Sequence, residues 1–208
     1  YKLTLLLTIG LKYHKQLAGF ILEPLVQGAA GIYTMPKDYL KAARRLCDKY
    51  NVLLICDEVA VGFGRTGTMF ACEQEGVTPD IMAIAKGLTG GYLPLAATLT
   101  TEKVYRNFKG KYEEMKTFYH GHTYTGNPLA CAAALGSLKV FKKERTLEKL
   151  QPKIKLLTEL LAKFKNIPQV KNIRQAGLIA ALELPDYKYA AKIGIKITKL
   201  ARQKGDAL

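Results

Sequence analysis

One lysine of this chain stands in an unusual setting. In IMAIAKGLTGGYLPLAATLTT (81–101), the apolar run Ile81, Met82, Ala83, Ile84 and Ala85 leads straight into Lys86, and a turn rich in glycine and small residues follows. An ammonium is strongly hydrated and belongs on a solvated face; at the end of a buried strand it is expected to lose water, which favours the neutral amine. A neutral amine is a nucleophile, and the chemistry that uses one is Schiff-base formation with a carbonyl. Two carboxylates, Asp57 and Glu58, close an earlier apolar run, NVLLICDEV (51–59), and Glu23 closes a third, GFILE (19–23). Further on, His120, Gly121, His122, Thr123 and Thr125 make a polar loop ahead of a stretch rich in Ala and Leu. Small residues, hydroxyls and free backbone amides ahead of a helix suit a phosphate. The two histidines have no carboxylate or cysteine nearby to complete a ligand set, so no metal site is expected.

The elements that must position these groups follow from periodicity. Pro24 ends the first strand. In PKDYLKAARRLCDKY (36–50), Pro36 marks a helix start, and Leu40, Ala43, Leu46 and Cys47 recur at helical spacing, which predicts one buried face. The continuous apolar run of 51–59 predicts a strand covered on both faces. Strand, helix, strand and then IMAIA is the βαβ pattern of a parallel sheet. Ligands of open α/β sheets bind beyond the carboxyl ends of the strands, where Glu23, Asp57 and Lys86 fall. Residues 12–18 read as the end of a polar helix, 102–117 as a polar helix, and 118–141 as a loop leading into a long helix. From 142 the character changes to a Lys-rich amphipathic helix, a strand pair within 170–184 and a last helix to 204. The expected organisation is a large domain over 1–141 and the start of a smaller α+β domain over 142–208.

GFGRTG (62–67) spells the dinucleotide fingerprint GxGxxG, but two carboxylates precede it and would repel a pyrophosphate, and no acidic residue lies about twenty positions beyond to hold a ribose. Its glycines are expected to let a loop fold closely over the site. The 32 Lys and Arg against 17 Asp and Glu give a formal charge of +15, spread over helix-like segments without a basic stripe interleaved with aromatics. Solvated helix faces are therefore expected, and no nucleic-acid partner. Cys47, Cys56, Cys72 and Cys131 show neither CxxC pairing nor zinc-ligand spacing, and three lie in apolar runs, which suits a reducing, cytoplasmic setting. The apolar start LTLLLTIGL (3–11) is too short to span a bilayer, so no membrane segment is expected. The chain opens on Tyr1 and closes just after Gly205-Asp206, and is expected to be a fragment of something longer.

An aspartate at one strand end, a lysine at a later one and a hydroxyl-bearing glycine loop beyond them match what pyridoxal phosphate (PLP) requires. The aspartate would keep the pyridine nitrogen protonated, and the lysine would carry the cofactor and shuttle protons. LLICDEVAVGFGRTGTMFACEQEGVTPDIMAIAKGLTGGYLPLAATLTT, with GHTYTGNPLACAAA, resembles the class III aminotransferases of PLP fold type I. The resemblance covers residues 18–184 and implies an α/β fold with a mostly parallel central sheet flanked by helices. By position it makes Lys86 the residue that binds the cofactor, Asp57 the partner of the pyridine nitrogen and Val59 the aliphatic residue on one ring face. His122 and Thr123 resemble phosphate contacts given across a homodimer, and Gly121 a substrate contact, with Lys86 also touching substrate. Within the family the residues are most similar to the branch that transfers an amino group from S-adenosylmethionine to 8-amino-7-oxononanoate in biotin synthesis. Ornithine, acetylornithine, 4-aminobutyrate or lysine are the alternative donors, and a non-catalytic basic binding module is the alternative outside enzymes. The family's amino-terminal phosphate turn, its stacking aromatic and its substrate-carboxylate arginine have no counterpart in these 208 residues. The stretch alone is therefore expected to be inactive and to retain the cofactor weakly.

Overall fold

The computed structural model describes residues 12–205, so the apolar start at 3–11 lies outside the described residues. Four strands form the central sheet: β1 (Gly19–Leu22), β4 (Leu53–Asp57), β5 (Ile81–Ile84) and β6 (Ala97–Thr100), side by side in that order. β1 and β4 run parallel from Gly19↔Leu53 to Leu22↔Cys56, and β4 and β5 run parallel from Ile55↔Ile81 to Asp57↔Ala83. β6 returns antiparallel to β5, pairing Ile84 with Ala97. Its run Ala97–Thr100 is not separated in sequence from the small-residue turn that precedes it, and it makes the sheet mixed at one edge. A hairpin of two short strands, β2 (Val26–Gln27) and β3 (Tyr33–Thr34), follows β1.

Helix α1 (Tyr39–Tyr50) connects β3 to β4, beginning three residues after Pro36. Its periodic residues Leu40, Ala43 and Cys47 are buried and meet Leu22, Leu54, Cys56 and Val52 in the main core. Full burial of a leucine such as Leu40 or Leu54 contributes roughly 2 kcal/mol. The expectation that 51–59 is covered on both faces is met on one side only. Leu54 and Cys56 are buried under α1, whereas Leu53, Ile55 and Asp57 on the opposite face are half-buried, and Ile21 on β1 is 63% exposed. A run apolar at every position marks a strand whose two faces both need cover, and among the described residues only one layer supplies it.

The polar helix expected over 102–117 is reduced to one α-turn, α2 (Glu102–Tyr105), and two 3-10 turns at Arg106–Phe108 and Tyr112–Glu114. No residue of this stretch is buried, and Gly110 interrupts it, so no tertiary face rewards a longer helix. The end of a polar helix read over 12–18 is present: Lys12 and Tyr13 are α-helical, and a 3-10 turn, His14–Gln16, closes the segment.

Helix α3 (Pro128–Lys143) starts where Asn127 caps it: the side-chain oxygen accepts from the Leu129 and Ala130 amides, both at 3.0 Å, and Pro128 occupies the first turn. Left-handed Arg145 then turns the chain into α4 (Thr146–Ala162). β7 (Asn172–Ala176) and β8 (Ile179–Glu183) form the antiparallel hairpin foreseen within 170–184, and α5 (Ile193–Gln203) follows. Arg174 fastens this hairpin to β2–β3. Its Nε donates to the Ile32 carbonyl at 3.0 Å and another nitrogen to the Gly31 carbonyl at 2.9 Å, the guanidinium lies 4.8 Å from the Tyr33 ring centroid, and the remaining arm is paired with Glu183.

Candidate active site

The carboxyl ends of β4 and β5 are adjacent, because Asp57 pairs in register with Ala83, three residues before Lys86. Asp57 is half-buried, and its Oδ1 accepts the Val59 amide at 3.0 Å, which bends the chain as it leaves the strand. Val59 beside it is half-buried. After β5, Ala85 is fully extended and Lys86 is left-handed, with φ 48°, at the head of a 3-10 turn, Lys86–Thr89. That turn is held from within: Leu88 and Thr89 are buried, and the Thr89 hydroxyl donates to the Leu93 carbonyl at 2.6 Å.

Beyond the strand ends lies a cleft of about 860 Å³. It is lined by Lys86 and Thr89 from the turn after β5, by His122, Tyr124, Thr125 and Asn127 from the loop ahead of residue 128, and by apolar residues that include Leu93, Leu95 and Leu129. Lys86 and His122, 36 positions apart in sequence, are thus brought onto one cleft. Gly121, Thr123, Asp57 and Val59 are not on its lining: the first two are exposed on the loop beside His122, and the others stand one strand away. The loop is held by its own residues. Thr125 Oγ1 accepts the His122 amide at 2.9 Å, and His122 Nδ1 accepts the Tyr124 amide at 3.2 Å.

Two expectations need correction. Lys86 is exposed, so the desolvation read from its apolar approach is not provided by the described residues. The strand before it is half-buried over Ile81, Met82 and Ala83 and buried only at Ile84, and burial does not extend to Lys86. The glycines of 62–67 do not cover the site either. A Cβ on Gly64 would lie 2.7 Å from Leu150 and one on Gly67 3.3 Å from Ile154, so these residues let the loop pack against α4, away from the cleft. The loop reaches the site through Phe63, which sits against Gly87, the residue after Lys86.

Glu58 also behaves differently from its neighbour. It is fully buried and accepts the Ala71 amide at 2.9 Å and the Cys72 amide at 2.8 Å, so it closes the base of the glycine loop instead of facing a ligand. Burial pushes its carboxyl above the usual range, and the two amides offset this in part. Glu23 plays a similar part at the end of β1, accepting the Gly28 amide at 3.0 Å. The three buried cysteines are inert core thiols, with burial raising Cys56 to about 12. Asn127 and Thr89 were not singled out from the sequence. The pair Asn127-Pro128 carried a readable cap signal, whereas nothing local marked Thr89 as a wall of the cleft.

A mostly parallel sheet with an antiparallel edge, a lysine on a cleft at one strand end and an aspartate at the next define an α/β protein. The chain matches the class-III aminotransferase family over residues 4–207, and it belongs to that family. It is 53% identical over 197 residues to the adenosylmethionine-8-amino-7-oxononanoate aminotransferase of Nitratidesulfovibrio vulgaris, covering 91% of this chain and 36% of that protein. It is equally identical to the enzyme of the same name from Geobacter sulfurreducens, covering 91% of this chain and 44% of the relative. The crystal structure of the adenosylmethionine-8-amino-7-oxononanoate aminotransferase from Methanocaldococcus jannaschii superposes with a TM-score of 0.95 at 42% identity, over 99% of this chain and 49% of that one. The chain therefore spans less than half the length of the curated relatives it matches.

Class III aminotransferases use PLP, and the residues present fit that group. The lysine is exposed to the cleft, not buried in the core. Asp57 Oδ1 is engaged by the Val59 amide, and among the described residues its other oxygen accepts no hydrogen bond, which leaves it able to meet a protonated ring nitrogen. The same cleft is lined by Thr125, which carries a hydroxyl, and by Leu129 and Ala130 at the start of α3.

Proposed function

We propose that the protein moves an amino group from S-adenosylmethionine to 8-amino-7-oxononanoate, with PLP as cofactor, as a cytoplasmic step of biotin synthesis. The observation that carries this reading is Lys86 on an apolar cleft one strand from Asp57, in a chain that shares half its residues with enzymes named for these two compounds. When bound, PLP supplies an electron sink and a carbonyl that accepts the amino group. Lys86 Nζ would hold the cofactor and then take and return the proton as the amino group changes carrier. The Asp57 carboxylate would keep the ring nitrogen protonated, and Val59 would pack on the ring. Leu93, Pro94, Leu95 and Leu129 on the cleft suit a substrate with a long methylene chain.

His122 and Thr123 are read as phosphate contacts and Gly121 as a substrate contact, all presented to a second copy of the chain. The support is their exposure on a loop whose His122 and Tyr124 amides bond within the loop itself, continuous with exposed aromatic residues: Tyr112 is 87%, Phe118 63% and Tyr119 74% exposed. Patches of this kind mark protein interfaces, and a homodimer would cover this one. The organisation into a cofactor-binding domain over 1–141 and a smaller one from 142 is part of the same reading; the left-handed break at Arg145, between α3 and α4, supports it.

The test is the absorption spectrum of the complete polypeptide that carries this sequence, with PLP, before and after S-adenosylmethionine, alongside Lys86→Ala. Visible absorbance of bound PLP that depends on Lys86 and bleaches with S-adenosylmethionine is the expected result. Bleaching only by ornithine, lysine or 4-aminobutyrate would refute the donor, and an unchanged Lys86→Ala spectrum would refute the role of the lysine.

A further inference from the structure

Lys86 is left-handed, a conformation in which a Cβ crowds the backbone, so something outside the residue must hold it there. Two contacts meet at the next residue. A Cβ built on Gly87 would lie 2.5 Å from the Cβ of Phe63 and 2.9 Å from its Cγ, so Phe63 occupies the space a side chain at 87 would need. From the other side, the Ser137 hydroxyl of α3 donates to the Gly87 carbonyl at 3.3 Å. Phe63 is itself left-handed, with φ 56°. It is held by its amide bonding to the Met69 carbonyl at 2.6 Å and by edge contacts with Phe70 and Phe141, at centroid distances of 5.7 and 6.3 Å. Phe63, Leu88, Ile84 and Ala134 form one buried cluster beneath the turn. Neither Phe63 nor Ser137 lines the cleft, so neither is placed to touch substrate.

We infer that Phe63 and Ser137 are positioning residues for Lys86, clamping Gly87 between the glycine loop and α3 so that the preceding lysine is kept left-handed with its amine on the cleft. The inference rests on the function proposed above, because it assigns these residues a task only if the Lys86 amine is the reacting group. The clamp itself needs no cofactor. Ser137 stands 50 positions from Gly87 and Phe63 24 positions, so three separate segments converge on one peptide unit. Burial of the Phe63 ring supplies the free energy that two left-handed backbones cost.

The experiment compares Ser137→Ala, Ser137→Thr and Phe63→Leu in the complete polypeptide. Hydrogen exchange at Leu88 and Gly90, whose amides donate to the Ala85 and Gly87 carbonyls, reads the turn without cofactor. Borohydride trapping of PLP on Lys86, read by peptide mass against other lysines, reads the amine. In Ser137→Ala and Phe63→Leu, exchange in the turn is expected to rise several-fold, and trapping at Lys86 and kcat to fall roughly tenfold with KM little changed, as for a reacting group displaced by a fraction of an ångström. Ser137→Thr, which keeps the hydroxyl, is expected to restore trapping. Wild-type exchange and trapping in both Ser137→Ala and Phe63→Leu would overturn the inference. So would loss of trapping that Ser137→Thr does not restore and that follows a general loss of stability in urea. If the unsubstituted protein traps no PLP at Lys86, the proposed function fails, and turn exchange alone then decides whether the clamp exists.

Discussion

Removing the Asp80 carboxylate tests how the strand that delivers Lys86 is anchored. Asp80 stands just before β5, and its Oδ2 accepts both the Leu54 amide at 2.8 Å and the Arg44 guanidinium at 2.7 Å, with side chains only 16% and 19% exposed. Its backbone bonds to the Leu54 carbonyl and from the Thr101 amide survive a change to alanine. Asp80→Ala therefore leaves the Leu54 amide without its charged acceptor, a loss of about 2 kcal/mol. Arg44 keeps Asp48 at 2.7 Å, so its share is nearer 1 kcal/mol than the cost of stranding a fully buried charge. A total of about 3 kcal/mol, with a urea dependence near 2 kcal/mol/M, lowers the midpoint by about 1.5 M. The pH dependence provides a second check. Burial pushes the Asp80 carboxyl up, but the Leu54 amide and the Arg44 guanidinium outweigh it and hold the group below its ordinary 3.8. The folded protein thus binds fewer protons here than the unfolded chain, and the contribution is complete above pH 3.8 and lost as pH falls through the folded value. A drop below 1 kcal/mol at neutral pH, or a gap between wild type and variant that does not shrink in acid, would refute the reasoning.

Glu58 is expected to show the opposite slope: burial raises its carboxyl above 4.5, so the native state keeps a proton that the unfolded chain has released, and stability falls as pH rises through that window. Urea titrations across pH should find that slope absent in Glu58→Gln. Gly177 is left-handed, with φ 62°, and a Cβ there would lie 2.5 Å from Thr66 Cα, so Gly177→Ala should cost about 3 kcal/mol from strain and overpacking and expose the β7–β8 hairpin to protease. Arg174→Met keeps the apolar stem but loses the bonds to the Gly31 and Ile32 carbonyls, and hydrogen exchange across 172–183 should accelerate while exchange in α1 does not.

Much of the site was legible in the chain because β4 and β5 are local events. An apolar run long enough for one strand, ended by a charged residue, puts that residue at a strand end whatever surrounds it, and this placed Asp57 and Lys86 correctly. Helix α1 was legible for the same reason, since Leu40, Ala43 and Cys47 carry its period. The capped start of α3 could have been read from Asn127-Pro128. The side of the turn from which Lys86 emerges could not be read so directly. Its exposure depends on a left-handed residue that no propensity predicts and that a loop 23 positions earlier enforces. Glu58 and Asp57 are neighbours of like charge in sequence, yet strand alternation sends one into the core, where it closes a loop, and leaves the other on the half-buried opposite face. Local pattern thus determined which residues stand at the strand ends and the family they resemble. Only the tertiary structure decided that His122 shares a cleft with Lys86, that the GxGxxG glycines serve α4, and that Phe63 and Ser137 meet at Gly87. Those outcomes depend on contacts between distant segments, whose energies no local window contains.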